Sequence, residues 1–220
     1  MIHLGSITYA IISKTCTPKS ITPLSMHSNR HALHKLLVTM YRGDTMKQRS
    51  ILWQAAGFAH VTFGGTILHF LYDWTGGSIL ISPFSGVNES TWEHMKLLFW
   101  PLFLFALAQQ PFFNDKKNYW CIKLAEILLG LVLIPVLFYT YNGVFGKSPD
   151  WVNITIFYLT ALLIFLFEWR AFKTGRLQCK RPQLVLTAII LIGILFVVFT
   201  FVPPQIPLFQ DPLTGVYGIH

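Results

Sequence analysis

Charged residues are scarce in this chain, and acidic ones are the scarcer kind. Of 220 residues, 12% are charged and 53% are apolar, and nine acidic residues stand against 17 basic ones. An ordinary soluble domain carries roughly 25% charged residues, so the composition argues against that class. The net charge of +8 does not indicate nucleic acid as a partner, because Lys and Arg fall in short clusters between long apolar runs, as in cytoplasmic loops of membrane proteins.

Cysteine is also scarce, and a secretory signal is lacking. The cysteines are Cys16, Cys121 and Cys179, and the last two fall on segments that the charge pattern below assigns to the cytoplasm. Thiols are kept reduced there, so we expect no disulfide. Residues 1–5 provide no basic start for a signal peptide.

The N-terminal 46 residues have no pattern of a packed domain. Residues 1–46 mix Ser, Thr, Lys, His and Pro with brief apolar patches, which predicts a flexible tail. The segment Met46-Lys47-Gln48-Arg49 lies just before the first apolar run, as at the start of many membrane proteins. We therefore expect a membrane domain over residues 47–220 and translation that begins at Met46 or Met40.

Five apolar segments predict an all-α integral membrane bundle. Residues 51–72 are long enough to cross a hydrocarbon core of roughly 30 Å. Residues 97–108 are too short, but the segment spans if the helix extends back to Glu89. The other predicted spans are residues 120–141, 151–172 and 184–202.

The distribution of basic residues predicts the orientation. With five spans and a cytoplasmic N-terminus, 15 of the 17 Lys and Arg residues face the cytoplasm, as the positive-inside rule requires. The C-terminal segment 203–220 is then extracytoplasmic. Its prolines end the last span while apolar residues continue, so it could fold back over the outer end of the bundle.

The predicted outer face collects an unusual set of polar side chains. His69 and Asp73 are four residues apart, as are Glu89 and Glu93, so each pair lies on one helix face. Ionisable groups at membrane depth are functional candidates. These four could bind a divalent metal ion as cofactor, or the set could exchange protons. The full candidate polar site is His69, Asp73, Asn88, Glu89, Glu93 and His94.

A purely structural explanation competes with this site. Ser90 and Glu93 fit a capping box, and acidic residues in the first turn of a helix complement its dipole. Asn88 could be a cap or turn residue. No familiar zinc-ligand spacing is matched, so three alternatives stay open: capping and interface structure, proton or solute handling, and a bound metal.

Inside the spans, other residues indicate packing and pairing. Gly57 and Gly64 share one face of the first helix, which predicts close helix contact. Glu126 has the i,i+3 spacing of an ion pair with Lys123, and pairing or snorkelling competes there with a functional proton site. Glu168 lies near a span end, where we expect it at the membrane interface.

Several blocks together resemble one family. They are His69-Phe-Leu-Tyr-Asp-Trp74, Ser82-Pro83, Val87-Asn-Glu-Ser-Thr-Trp-Glu-His-Met-Lys-Leu-Leu-Phe99 and Asp211-Pro-Leu-Thr-Gly-Val-Tyr-Gly-Ile219. Over residues 47–220 the chain is similar to an uncharacterised family of small prokaryotic membrane proteins, a domain of unknown function, and the Asn-Glu-Ser-x-Trp-Glu-His block is specific to it. The resemblance implies a multipass membrane protein and brings no activity. Residues 1–46 depart from the family's usual start.

Three functional hypotheses remain, so whether the protein is an enzyme is undecided. One is a membrane-embedded, metal-dependent hydrolase, although no serine or cysteine nucleophile stands beside a base. Another is a small transporter or channel component. The third is a structural or partner-binding subunit of the cell membrane, with lipid, a second copy or another membrane protein as partner.

Overall fold

The computed structural model describes residues 51–113, 118–178 and 180–219, and within these ranges the chain is helical, with no β-strand. Five helices are each long and apolar enough to cross a membrane, so the five-helix prediction is confirmed. They are α1 (Ile51–Trp74), α2 (Thr91–Gln109), α3 (Tyr119–Phe145), α4 (Asp150–Thr174) and α5 (Pro182–Phe201).

Helix α2 lies at the centre of the bundle, although its apolar run is the shortest in the sequence. Of its apolar window 56% is buried, against 22–39% in the other helices. It contacts α3, α4 and α5, and a 3-10 turn (Gln110–Phe113) continues it to a full membrane span. Because α2 is enclosed by protein, its polar first turns can be satisfied by neighbouring helices rather than by water.

Helix α1 packs closely against α2 and α4 through glycines. A Cβ atom at Gly57 would lie 2.4 Å from Phe165 Cε1, and one at Gly64 would lie 3.2 Å from Pro101 Cβ. Gly65 comes as close, since its Cβ would lie 3.1 Å from the Leu97 carbonyl oxygen. The expected role of Gly57 and Gly64 in close helix contact is therefore confirmed.

The outer surfaces of the helices carry large apolar side chains. Leu104, Val132, Leu162 and Leu191 are all exposed, as are many others on the same faces. In water such a surface would be unfavourable, whereas lipid tails are as apolar as leucine. The bundle thus presents lipid-compatible faces all round.

The expectation of no disulfide is wrong for Cys121, which is disulfide-bonded. The other two cysteines, Cys16 and Cys179, lie outside the described residues. The expectation rested on a reducing cytoplasm at this end of the bundle, whereas disulfides persist in oxidising compartments. The Cys121 disulfide thus favours an oxidising, extracytoplasmic side for this end of the bundle, whereas the distribution of basic residues favours the cytoplasmic side. The orientation of the bundle stays a prediction.

Candidate metal centre

The loop between α1 and α2 is fastened to the last turns of α1. The Ser85 hydroxyl accepts a hydrogen bond from the Tyr72 N–H at 2.9 Å and donates one to the Leu68 carbonyl. The Gly86 N–H also donates to Leu68, at 3.2 Å. A Cβ atom at Gly86 would lie 3.8 Å from His69 Nδ1. These bonds flank His69 and bring the loop directly against its ring.

The start of α2 is capped by two side chains. Ser90 is the N-cap, and its hydroxyl accepts a hydrogen bond from the Glu93 N–H at 3.4 Å. The other half of the capping box is replaced: Asn88 Oδ1 accepts from the Ser90 N–H at 2.9 Å, while the Glu93 carboxylate accepts from the Val87 N–H at 3.1 Å. Capping therefore accounts for Asn88 and Ser90 but not for Glu89 or His94.

Three of the candidate side chains converge beside this cap. His69 Nε2 lies 3.6 Å from Glu89 Oε1, and His94 Nε2 lies 3.6 Å from Glu89 Oε2. One ligand atom from each residue lies within 4.8 Å of the other two. Two imidazoles from different helices thus face a single carboxylate.

A hydrogen bond fixes the orientation of the His94 ring. His94 Nδ1 lies 2.9 Å from the Ser90 carbonyl oxygen, which can only accept, so Nδ1 carries the proton. In the neutral ring the lone pair is then on Nε2, the atom that faces Glu89. Metal-binding histidines are commonly oriented by this kind of bond to a carbonyl.

The cluster is partly open to its surroundings. The side chains of His69, His94 and Glu89 are 29%, 19% and 40% exposed. A cavity of about 20 Å³, room for roughly one water molecule, also touches His94 and is otherwise lined mainly by α3 and α4 side chains. An ion or a small substrate group can therefore reach the cluster.

The other candidate residues lie outside this group. Asp73 is exposed on the last turn of α1. Glu93 is buried and pairs with Lys96 Nζ at 2.5 Å. The amide of Asn88 donates to the Gly218 carbonyl at 2.9 Å. The structure thus combines His69 and Glu89 from the four proposed ligands with His94, and it gives Glu93 another partner.

Sequence reasoning missed the role of Lys96. Its ammonium group is fully buried and donates to the Ser82 carbonyl at 2.7 Å and to Thr200 Oγ1 at 3.0 Å, in addition to Glu93. These three acceptors use all three of its N–H groups. The sequence did contain one indication of this role, because a single lysine near the start of a largely apolar helix needs a buried partner.

The C-terminal segment folds back onto the start of α2. The ring of Phe209, in a second 3-10 turn (Pro207–Phe209), lies 4.5 Å from that of Trp92, and Gly218 accepts the bond from Asn88. Asp211 closes the intervening turn by accepting from the Leu213 N–H and the Thr214 hydroxyl, both at 2.8 Å. The tail therefore packs next to the residue that precedes Glu89.

A second polar cluster lies near the other end of the bundle. Lys123 Nζ lies 2.9 Å from Glu126 Oε2, so the predicted i,i+3 pair is confirmed. It also contacts Glu168 Oε1, and all three side chains are fully buried. The expectation that Glu168 is interfacial is wrong, because Glu168 lies on the inward face of α4 together with Ile164.

Five helices, each long and apolar enough to cross a membrane, define an α-helical multipass membrane protein. Comparison with protein families matches residues 43–219 to a family of unknown function (DUF6512). The chain belongs to that family, as the resemblance in its sequence indicated. Comparisons with curated proteins and with solved structures found no match.

Proposed function

We propose that this protein is a membrane-embedded metalloprotein in which His69, Glu89 and His94 bind a divalent transition-metal ion, with Zn²⁺ as the first candidate. The observation that carries the proposal is that two imidazole Nε2 atoms each lie 3.6 Å from one carboxylate. In a tetrahedral zinc site with bonds of about 2.0–2.2 Å, neighbouring ligand atoms are roughly 3.3–3.6 Å apart. Imidazole nitrogens favour zinc, copper, iron or nickel over magnesium and calcium.

The number of ligands supports a reactive centre. Structural zinc sites are closed by four protein ligands, whereas catalytic sites use three and keep one position for water or substrate. Two histidines and one glutamate form such a three-ligand set. The activity that we propose is hydrolysis: His69, Glu89 and His94 would hold the metal ion, which would supply Lewis-acid activation of a water molecule for cleavage of an ester or amide at the membrane surface.

Metal binding by the purified protein tests the proposal. Wild-type protein in detergent is loaded with Zn²⁺, passed over a desalting column and analysed for bound metal. We expect one ion per chain. His69→Gln, Glu89→Gln and His94→Gln should each lower the affinity at least about 10-fold, since even the loss of an outer partner of a ligand costs 10–100-fold.

Two matched variants identify the ligand set. His60→Gln removes an exposed histidine from the same helix as His69, and Asp73→Asn removes the carboxylate that the sequence had suggested. Both should bind zinc like the wild type. A wild type that retains no more zinc than a variant with Gln at His69, Glu89 and His94 together would refute the metal centre. A loss of zinc binding in Asp73→Asn would show that Asp73 belongs to the ligand set and that the set proposed here is wrong.

The location of the centre is part of the proposal. We expect the start of α2 and the C-terminal segment at the extracytoplasmic face of the cell membrane, because the positive-inside rule favours that orientation. A reporter fused to the C-terminus that is active only outside the cytoplasm should be active. If a reporter that functions only in the cytoplasm is active at the C-terminus instead, the metal centre lies at the cytoplasmic face of the membrane.

A further inference from the structure

The second polar cluster carries more negative than positive charge. Glu126 and Glu168 share one ammonium group, that of Lys123, and all three side chains are fully buried. With both carboxylates ionised, the cluster has a net charge of −1. A buried net charge is strongly unfavourable, and a carboxyl group can avoid it by binding a proton.

Among the residues that the structure describes, the surroundings add no further cation to the ion pairs of the cluster. Lys123 Nζ lies 5.6–5.9 Å from the ring centroids of Phe105, Tyr119 and Phe165. On α2, the polar group next to Tyr119 is the neutral amide of Gln109. On α1, the titratable group next to Phe105 is His60, which is exposed. Within the described residues, the ion pairs of the two carboxylates are those with Lys123.

A hydroxyl group beside the cluster, that of Tyr119, is committed elsewhere. The Tyr119 hydroxyl donates to the Ala106 carbonyl at 2.5 Å and lies 3.2 Å from Gln109 Oε1. Its single proton is therefore used by α2 and cannot serve a carboxylate.

Each glutamate keeps one oxygen for which the described part of the chain supplies no partner. Glu126 Oε1 and Glu168 Oε2 are buried, and no described residue forms a hydrogen bond with either oxygen. A carboxylate oxygen in that situation lacks the donors that would stabilise its negative charge. A protonated carboxyl group is neutral, so it needs fewer hydrogen bonds from donors.

We propose that Glu126 and Glu168 form a proton-binding site inside the membrane domain, in which the two carboxyl groups share one bound proton beside the ammonium group of Lys123. The ligand is H⁺ itself, because the lysine already occupies the place of a metal cation between the carboxylates. Along α2, His94 and Gln109 are separated by 15 positions, roughly 22 Å at 1.5 Å per residue. The proton site is therefore separate from the proposed metal centre.

Substitution by glutamine tests the shared proton through stability. Glu126→Gln or Glu168→Gln replaces the protonated partner by a neutral amide and leaves one neutral Glu–Lys pair, so each single variant should melt close to the wild type. The double variant leaves the Lys123 ammonium unpaired, and its melting temperature should fall several times more than the sum of the two single shifts. A single variant that melts as low as the double variant would show two ionised partners and overturn the proposal.

Infrared spectroscopy tests the proton directly in the folded protein. At neutral pH the wild type should show the C=O stretch of a protonated carboxyl group, shifted in heavy water. Either single Gln variant should lose it, and Asp150→Asn, at an exposed position, should retain it. A folded wild type without this band would overturn the proton site, and so would a band that both single variants keep. If the band is absent and Na⁺ raises the melting temperature of the wild type, the ligand is a metal cation instead.

Discussion

The two polar clusters near opposite ends of α2 differ in what holds their charges together. In the Lys123 cluster the chain supplies its own cation, in contact with both carboxylates, and the side chains are fully buried. In the His69 cluster two imidazoles face one carboxylate, each imidazole Nε2 lies 3.6 Å from a Glu89 oxygen, and the three side chains are partly exposed. This difference is why we propose a proton as the ligand of the cluster that has its own cation, and a metal ion from outside as the ligand of the other.

The Glu93–Lys96 pair gives the comparison a reference. It is as buried as the Lys123 cluster, but it is neutral, and the Lys96 ammonium is fully bonded. Burial alone therefore does not create a functional site, because a neutral and fully bonded pair is sufficient as a structural element.

The largest expected effect is the loss of this reference pair. Lys96→Met leaves the Glu93 carboxylate buried without its cation, and the free energy of unfolding should fall by about 3–5 kcal/mol. Denaturant unfolding in mixed micelles measures it, and Lys147→Met, at an exposed lysine, is the control. Equal stability of the two variants would mean that the pair is not the structural element described.

Zinc should distinguish the two clusters. At 100 times its dissociation constant, a bound ion stabilises a protein by about 2.7 kcal/mol, which raises the melting temperature of a chain of this size by roughly 5–10 °C. We expect this shift in the wild type and in Glu126→Gln, and its loss in His94→Gln. If Glu126→Gln abolished the shift and His94→Gln kept it, zinc would bind at the Lys123 cluster and not at the His69 cluster.

Close packing around the Lys123 cluster should be sensitive to one added methyl group. In Gly57→Ala the new Cβ would lie 2.4 Å from Phe165 Cε1 and 2.6 Å from Phe105 Cε1, two rings that also cover Lys123. We expect destabilisation of about 1–3 kcal/mol from overpacking. Gly143→Ala has no atom within 4 Å of the new Cβ and should be neutral or slightly stabilising. Similar values for both variants would argue against a tightly enclosed cluster.

The smallest effect concerns the tail beside the His69 cluster. Asn88→Ala removes the bond to Gly218 and the cap of the Ser90 N–H, which should cost about 1 kcal/mol. Hydrogen exchange should become faster in residues 203–219 and in the first turn of α2. Gln210→Ala, whose amide bonds to Gly215 within the tail, should leave the exchange at α2 unchanged; faster exchange there would show that the tail is held in another way.

The candidate site was predictable only in part. His69 and Glu89 were identified because ionisable residues are rare in an apolar chain, and the same argument drew attention to Asp73 and Glu93. Glu93 and Lys96 have the same i,i+3 spacing as Glu126 and Lys123, which permits a pair, but position along the chain could not show that Asp73 is exposed or that Lys96 is buried and bonded to three acceptors. Those outcomes depend on α5 and on the loop, which bring Thr200 and Ser82 to Lys96.

The sequence by itself determined the five helices and their approximate ends, because the length of an apolar run sets whether it can cross a bilayer. Only the tertiary structure decided which side of each helix faces inward. In a soluble bundle an apolar stripe would reveal that side, but here lipid and protein interior are both apolar. Glu168 could therefore be assigned to the interface from the sequence and still be found fully buried against Lys123.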